Sequence, residues 1–215
     1  MIFYDYWRSS AAFRVRICLS LKGLSVERRF VSLLRGEQMG AVYRSKNPQA
    51  LVPALELDDG SVLTQSLAII EYLESAFPRP ALIPADPILA ARARAVALSI
   101  ACDIHPLGNL RVAEYLGREL QLGHDRVAAW RRHWIASGMT ALEAMIAPAP
   151  FCLGAEPTIA DACLAPQIYS AERFGVSLAA FPRIRAVAEV YAAHPAIVAA
   201  HPSAQPDAAQ TAPAP

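Results

Sequence analysis

Tyr4-Asp5-Tyr6-Trp7-Arg8-Ser9-Ser10-Ala11-Ala12-Phe13-Arg14-Val15-Arg16-Ile17 is the stretch whose reading decides the fold. Its first half, with Ile2 and Phe3 before it, is rich in β-favouring side chains and predicts a strand over Met1–Trp7. In its second half Phe13, Ile17 and Leu21 recur at helical spacing, which predicts a helix over Ser10–Lys22 with one buried face. Ser9 and Ser10 between them are residue types that start helices. A strand that passes directly into a helix aims free backbone N–H groups and two hydroxyls at one point, and such a point favours an anion.

Gly23 suits a left-handed helix end. Glu27–Leu33 reads as a second strand, parallel to the first through a helical crossover. Arg35–Arg44, interrupted by Gly36 and Gly40, reads as a loop with a short helix. Val52-Pro53 lies just before a strand that reaches Leu57, where a proline cannot join the ladder. A cis bond there would present the Val52 N–H and C=O to an extended peptide. Asp58-Asp59-Gly60 makes a hairpin turn, and Ser61–Thr64 returns antiparallel. Gln65-Ser66 then opens a helix carried by Leu67, Ile70, Leu73 and Phe77. Pro78, Pro80, Pro84 and Pro87 mark a linker. The order β-α-β followed by β-β-α implies a mixed sheet with helices on its faces.

Beyond Ile88 the strand signals stop. Helices are expected over 88–104, broken at His105-Pro106, over 107–120, over 126–146 with Val127, Trp130, Trp134, Ala141 and Met145 on one side, and over 184–191. Thr158-Ile159-Ala160-Asp161 has the form of a capping box, which makes Asp161 a structural cap rather than a catalyst. The expected organisation is an α/β domain over 1–80, an all-α domain over 88–201 and a tail over 202–215, whose Ala, Pro, Gln and Asp bury too little to order themselves and leave it loose unless it packs on another surface.

The 215 residues carry a net charge of +1 and are 54% apolar. That balance leaves no electrostatic footprint for nucleic acid. Charged residues interrupt every long apolar run, so no membrane span is expected, and the N-terminus lacks a signal-peptide layout. Cys18, Cys102, Cys152 and Cys163 are scattered without metal spacing, so no metal is expected and free thiols in a reducing cytoplasm are.

A small thioredoxin-like domain followed by an all-helical one resembles the cytosolic glutathione transferase fold. Ser9-Ser10-Ala11-Ala12-Phe13-Arg14-Val15-Arg16-Ile17 is similar to the zeta-class signature. So are Asn47-Pro48 with Val52-Pro53, Gln65 to Leu73, Ala171-Glu172-Arg173-Phe174, and His201-Pro202 with Gln205-Pro206-Asp207. The chain is identified as a member of that class, which includes maleylacetoacetate isomerase and the bacterial maleylpyruvate isomerases. Asp103-Ile104-His105-Pro106, with Asn109 and Arg111, leans toward the maleylpyruvate branch. Two positions depart from the signature: Ala11 replaces a cysteine and Phe13 a tryptophan. Ala11 removes any protein thiol there, so the sulfur must come from glutathione.

The resemblance implies glutathione-dependent cis–trans isomerisation of a conjugated diacid, maleylacetoacetate or maleylpyruvate, in aromatic catabolism by a cytoplasmic homodimer. Thiolate addition, bond rotation and elimination would carry it. Ser9 and Ser10 would be the thiolate's donors, Ser66 and Gln65 would hold the γ-glutamyl group, and Val52 before Pro53 would pair with the cysteinyl backbone. Gln38, His105 and Asn109 would reach the other polar groups. Arg8, Arg111 and Arg173 would hold the diacid carboxylates, for which the planar guanidinium is suited. One or both of Arg14 and Arg16 should form a structural ion pair, within the chain or across a dimer interface. Taken alone, the serines are also ordinary helix caps, Pro53 a rigid turn, His105 a kink partner, and the three arginines surface cations. A general glutathione transferase or α-haloacid dehalogenase, and a non-catalytic glutathione-binding regulator, are the competing functions. The arginines favour a small diacid over the apolar pocket of a broad detoxifier.

Overall fold

The computed structural model describes residues 1–208. The chain divides into two compact units, Met1–Leu82 together with the chain from His194 onward, and Ile83–Ala193.

In the first unit, strand β1 (Ile2–Asp5) leads into helix α1 (Ser10–Leu21), and β2 (Glu27–Phe30) follows. A 3₁₀ turn (Glu37–Met39) and a short helix α2 (Ala41–Arg44) precede strands β3 (Ala54–Glu56) and β4 (Val62–Thr64) and helix α3 (Ser66–Ala76). The sheet order is β2-β1-β3-β4. β1 and β2 are parallel, and β3 is antiparallel to both β1 and β4. Alternation along β1 sends Phe3 and Asp5 to one face and Tyr4 and Tyr6 to the other. Tyr4 and Tyr6 pack with Val31, Tyr43, Val52 and Ala54. Phe3, Ile17, Leu55, Ile69, Ile70 and Leu73 are fully buried.

Two strands are shorter than the β-favouring runs predict. β1 stops at Asp5 because the next amides leave the ladder: Tyr6 N–H bonds the Asp5 carboxylate (2.7 Å) and Trp7 N–H the Asp207 carboxylate (2.8 Å). β2 stops at Phe30 because Ser32 N–H turns to the Glu37 carboxylate at 2.7 Å.

The largest difference lies at the C-terminal end. A helix that the sequence reading missed, α9 (Pro195–Ala200), packs along α1, and a 3₁₀ turn (Pro202–Ala204) follows. The segment from 202 to 208, expected to be loose, buries Pro202, Gln205 and Asp207. The segment does pack on another surface, through polar groups near the first strand: Arg28 donates to Gln205 (2.7 Å), and Trp7 N–H to Asp207. Residues 194–208 thus belong to the sheet unit, whereas the expected 88–201 domain assigns most of them to the helical one. The rest of the expected tail, 209–215, lies outside the described residues.

The second unit holds α4 (Pro87–Leu98), α5 (Leu110–Arg118), α6 (His124–Met145), α7 (Ile159–Arg173) and α8 (Pro182–Ala193). Asp86 caps α4, accepting from Leu89 N–H at 2.7 Å. The expected 88–104 helix unwinds into a π turn (Ser99–Ile104) and a 3₁₀ turn (His105–Gly108) before α5. Pro106 supplies no amide to continue the ladder. α6 buries Ile135, Met139 and Leu142, not the predicted face, and Met145 is exposed. Among the described residues no helix is long and apolar enough to cross a membrane.

Candidate functional site

Sheet register explains how distant parts of the first unit meet. Tyr4 pairs with Ala54, and Ala54 with Thr64. The end of β1, the start of β3 and the end of β4 therefore lie at one end of the sheet. Arg8, Ser9 and Ser10 follow the first, Val52 and Pro53 precede the second, and Gln65 and Ser66 follow the third. β2 runs parallel to β1 and ends at the same side, and the loop after it carries Gln38.

Ser9 is the N-cap of α1, with an extended backbone and its Oγ accepting from Ala12 N–H at 3.2 Å. Capping uses the oxygen as acceptor and leaves the hydroxyl proton to donate elsewhere. Ser10 is the first helical residue, and the first turn carries no acidic side chain to compete with an anion. Arg8 lies beside this turn with its guanidinium 5.2 Å from the Trp7 ring centre.

The Val52–Pro53 peptide is cis. The loop before it is held by Tyr43 and Asn47, which both donate to Leu51 O, at 2.6 and 2.7 Å. Gln65 adopts φ 70°, ψ 119°, and its amide donates to Gln49 at 2.8 Å. A side chain rarely occupies such a positive φ, and backbone strain of this kind gathers where a ligand contact needs it. Ser66 is not a cap: it is the first residue of α3, buried, and its Oγ accepts from Arg14 at 3.1 Å. Again the hydroxyl proton is left over. The side-chain oxygen of Gln38 is buried without a hydrogen-bond partner among the described residues. Its neighbour Glu37 has its carboxyl held below the usual range, chiefly by the Ser32 amide.

Behind the Ser9 turn lies a buried ionic cluster. Asp5 is fully buried and pairs with Arg16 (2.7 Å) and with Arg28. Arg16 also donates to Trp7 O and Ala200 O, at 2.8 and 2.9 Å. Burial lowers the Arg16 pKa from its ordinary value while Asp5 opposes that shift. Arg16 thus makes the expected ion pair inside one chain.

In the second unit, His105 begins the 3₁₀ turn and Asn109 caps α5, accepting from Arg111 N–H at 3.3 Å. Arg111 is exposed in the first turn of α5. Arg173, at the end of α7, lies 4.8 Å from the Phe174 ring centre. The sequence reading missed Arg131. Its guanidinium also lies 4.8 Å from Phe174, and its Nε donates to Gly108 O at 3.2 Å. With Trp130, which donates to Leu107 O at 2.8 Å, it pins the 105–109 turn to α6 and relates that turn to Phe174 and Arg173. Burial lowers the Arg131 pKa. Its signal in sequence was one arginine among several on a helix, too little to single it out. Asp161 has the expected structural role: it completes the capping box of α7 and also accepts from Cys152 N–H and the Tyr191 hydroxyl.

Two family models match the chain, the N-terminal domain of glutathione S-transferase over residues 8–76 and its C-terminal domain over 135–193. A maleylacetoacetate isomerase of Pseudomonas aeruginosa is 50% identical over 211 residues, which cover 96% of this chain and 98% of that protein. The holo structure of a maleylpyruvate isomerase, a bacterial zeta-class glutathione S-transferase, superposes with a TM-score of 0.92 at 43% identity, over 96% of this chain and 99% of that one. A maleylacetoacetate isomerase from Methylobacterium extorquens AM1, solved with malonate and glutathione bound, gives a TM-score of 0.93 at 39% identity, over 97% and 99%. The chain belongs to the glutathione S-transferase family, in the zeta class of the maleylacetoacetate and maleylpyruvate isomerases.

Proposed function

We propose that this chain is a glutathione-dependent cis–trans isomerase of maleylacetoacetate or maleylpyruvate, acting as a cytoplasmic homodimer in the breakdown of aromatic compounds. One observation carries the reading. At one end of the sheet, Ser9 and Ser66 each spend a hydroxyl oxygen on the protein, at 3.2 and 3.1 Å, and keep a proton to donate. A tripeptide with a thiolate at one point and a carboxylate at another matches those donors. Val52, just before β3, and the Gln38 oxygen that has no hydrogen-bond partner among the described residues suit its amide backbone.

Bound glutathione supplies a thiolate that adds reversibly to the cis double bond and so frees it to rotate. Ser9 and Ser10 hold that sulfur ionised, aided by the positive end of α1. Ser66, with Arg14 behind it, and Gln65 anchor the γ-glutamyl end. Arg8, Arg111 and Arg173 bind the diacid carboxylates, each good charge-assisted contact contributing about 1.5–3 kcal/mol. His105 and Asn109 bind the remaining polar groups of the tripeptide. The malonate bound with glutathione in the Methylobacterium extorquens relative supports a dicarboxylate substrate.

The test is an absorbance assay with both cis diacids, with and without glutathione. The expected result is isomerisation of at least one, only when glutathione is present. Turnover of haloacids with neither diacid touched would replace this reading by the dehalogenase one. Glutathione binding without turnover of any of these would make the chain a regulator.

A further inference from the structure

We propose that Asp207 is a positioning residue of the thiolate site: its carboxylate holds the Trp7 amide and thereby the Tyr6–Ser9 turn that presents the Ser9 hydroxyl. The inference rests on the function proposed above and adds a residue to its machinery.

The turn between β1 and α1 has no ladder partner, so its polar backbone groups need others. Tyr6 N–H bonds Asp5 (2.7 Å), Tyr6 O accepts from Ser9 N–H (2.9 Å), and Trp7 O accepts from Arg16 (2.8 Å). Those partners are all local. Trp7 N–H instead bonds Asp207, 200 positions along the chain, at 2.8 Å. Asp207 is buried, and its place is fixed through Gln205. Gln205 donates to Ala199 O (2.9 Å) and His201 O (2.7 Å) and accepts from Arg28 (2.7 Å), and Arg28 returns to Asp5. Arg16 closes the circuit by bonding Asp5, Trp7 O and Ala200 O. The two residues before Arg8 are thereby clamped between α1, β2 and the C-terminal segment. A hydroxyl that activates a thiolate acts only if it is held in place beforehand.

Position and charge make opposite predictions here, which gives the test its force. The charged groups around the turn are Asp5, Arg16, Arg28, Asp207 and Arg8. A carboxylate among them disfavours a nearby thiolate, so removing its charge alone lowers the thiol pKa. Losing the acceptor for Trp7 N–H misplaces Ser9 and raises it.

The experiment titrates the thiolate absorbance of glutathione bound to wild type, Asp207→Ala and Asp207→Asn, alongside pH–rate profiles. Asp207→Ala should raise the bound thiol pKa by about one unit, about tenfold in the thiolate-to-thiol ratio. Its kcat should fall in parallel, with the diacid KM little changed. Asp207→Asn keeps an oxygen for Trp7 N–H and should titrate like wild type or lower. An unmoved titration in Asp207→Ala, or an equal rise in Asp207→Asn, overturns the proposal. A readout on wild type stands even if Asp207→Ala fails to fold: the Trp7 amide should exchange as slowly as the sheet core, and exchange at loop rates overturns the proposal too. If wild type with glutathione shows no thiolate at all, the proposed function fails, which is a different result from a wild-type titration that the variants leave in place.

Discussion

Replacing Asp161 should cost the helical unit a large share of its stability. The carboxylate is fully buried and accepts from Cys152 N–H (2.8 Å), Thr158 N–H (2.7 Å), the Thr158 hydroxyl (3.0 Å) and the Tyr191 hydroxyl (2.7 Å). Asp161→Ala strands those donors where water does not reach, since Cys152, Thr158 and Tyr191 are buried too. A hydrogen bond to a charged group contributes about 1.5–3 kcal/mol, and an unsatisfied buried donor costs about 1–3 kcal/mol. The four share one acceptor and are not additive, so the expected loss is about 4–6 kcal/mol, at the top of what single substitutions do. Against a total of about 5–15 kcal/mol that removes from about a third of the stability to nearly all of it. Asp161→Asn keeps one acceptor oxygen but points an NH₂ at the remaining donors, so it should lose roughly half as much. Guanidinium unfolding followed by tryptophan fluorescence reads this directly, because Trp130 and Trp134 lie on α6 of the same unit. At a temperature where Asp161→Asn is folded, the pKa of bound glutathione should equal that of wild type. An Asp161→Ala midpoint within about 1 kcal/mol of wild type would refute the stability argument. A shifted thiol pKa in folded Asp161→Asn would refute the purely structural role.

Arg111→Ala should raise the diacid KM by about tenfold or more for the loss of one charge-assisted contact while glutathione affinity stays put; equal KM values would remove Arg111 from substrate binding. At Gly138 a Cβ would stand 2.3 Å from Ile104 Cδ1, so Gly138→Ala must displace the buried residue that precedes His105. Overpacking costs about 1–3 kcal/mol and better helix propensity returns about 1 kcal/mol, so the melting temperature should fall slightly and the kinetics change with it; an unchanged melt and unchanged kinetics would contradict this. Glu37 has a depressed pKa in the folded chain, so its contribution is complete above the ordinary glutamate range and is lost as pH falls through the lower folded value. Wild-type glutathione affinity should weaken in that acid window, and Glu37→Gln should lack that step when binding is followed calorimetrically.

Much of the architecture was legible because it rests on local signals. The β1–α1 handover, the Asp-Gly hairpin and the Thr158/Asp161 box each need only neighbours in sequence, and each stands where expected. What escaped depends on partners far along the chain. The 202–208 segment has the composition of a tail, and Arg28 and Trp7, some 177 and 200 positions away, give it somewhere to go. The buried face of α6 was misjudged because two competing apolar stripes run along it, and the tryptophans are the more conspicuous. They drew the prediction to Trp130 and Trp134, while Ile135, Met139 and Leu142 fill the core. Arg131 was invisible for a related reason: its role depends on Gly108 and Phe174 arriving beside it.

The choice of serine at position 9 also has a physical reason. Asp and Asn cap helices at least as well as Ser. An ionised Asp is acceptor only, and its charge would stand against a thiolate at the very point where the helix favours one. Asn can accept and donate, but its oxygen and NH₂ are fixed on opposite sides of a planar group. If its oxygen caps Ala12 N–H, its donor points where the amide plane dictates. A hydroxyl accepts along its lone pairs while its proton swings to whatever lies nearby. Ser9 therefore keeps α1 capped at 3.2 Å and still has a donor that can follow the sulfur. Ser66 repeats the arrangement, with Arg14 in place of the capped amide. In both places the protein takes the oxygen and leaves a hydroxyl proton over, so under the proposed function one hydroxyl would serve folding and binding at once.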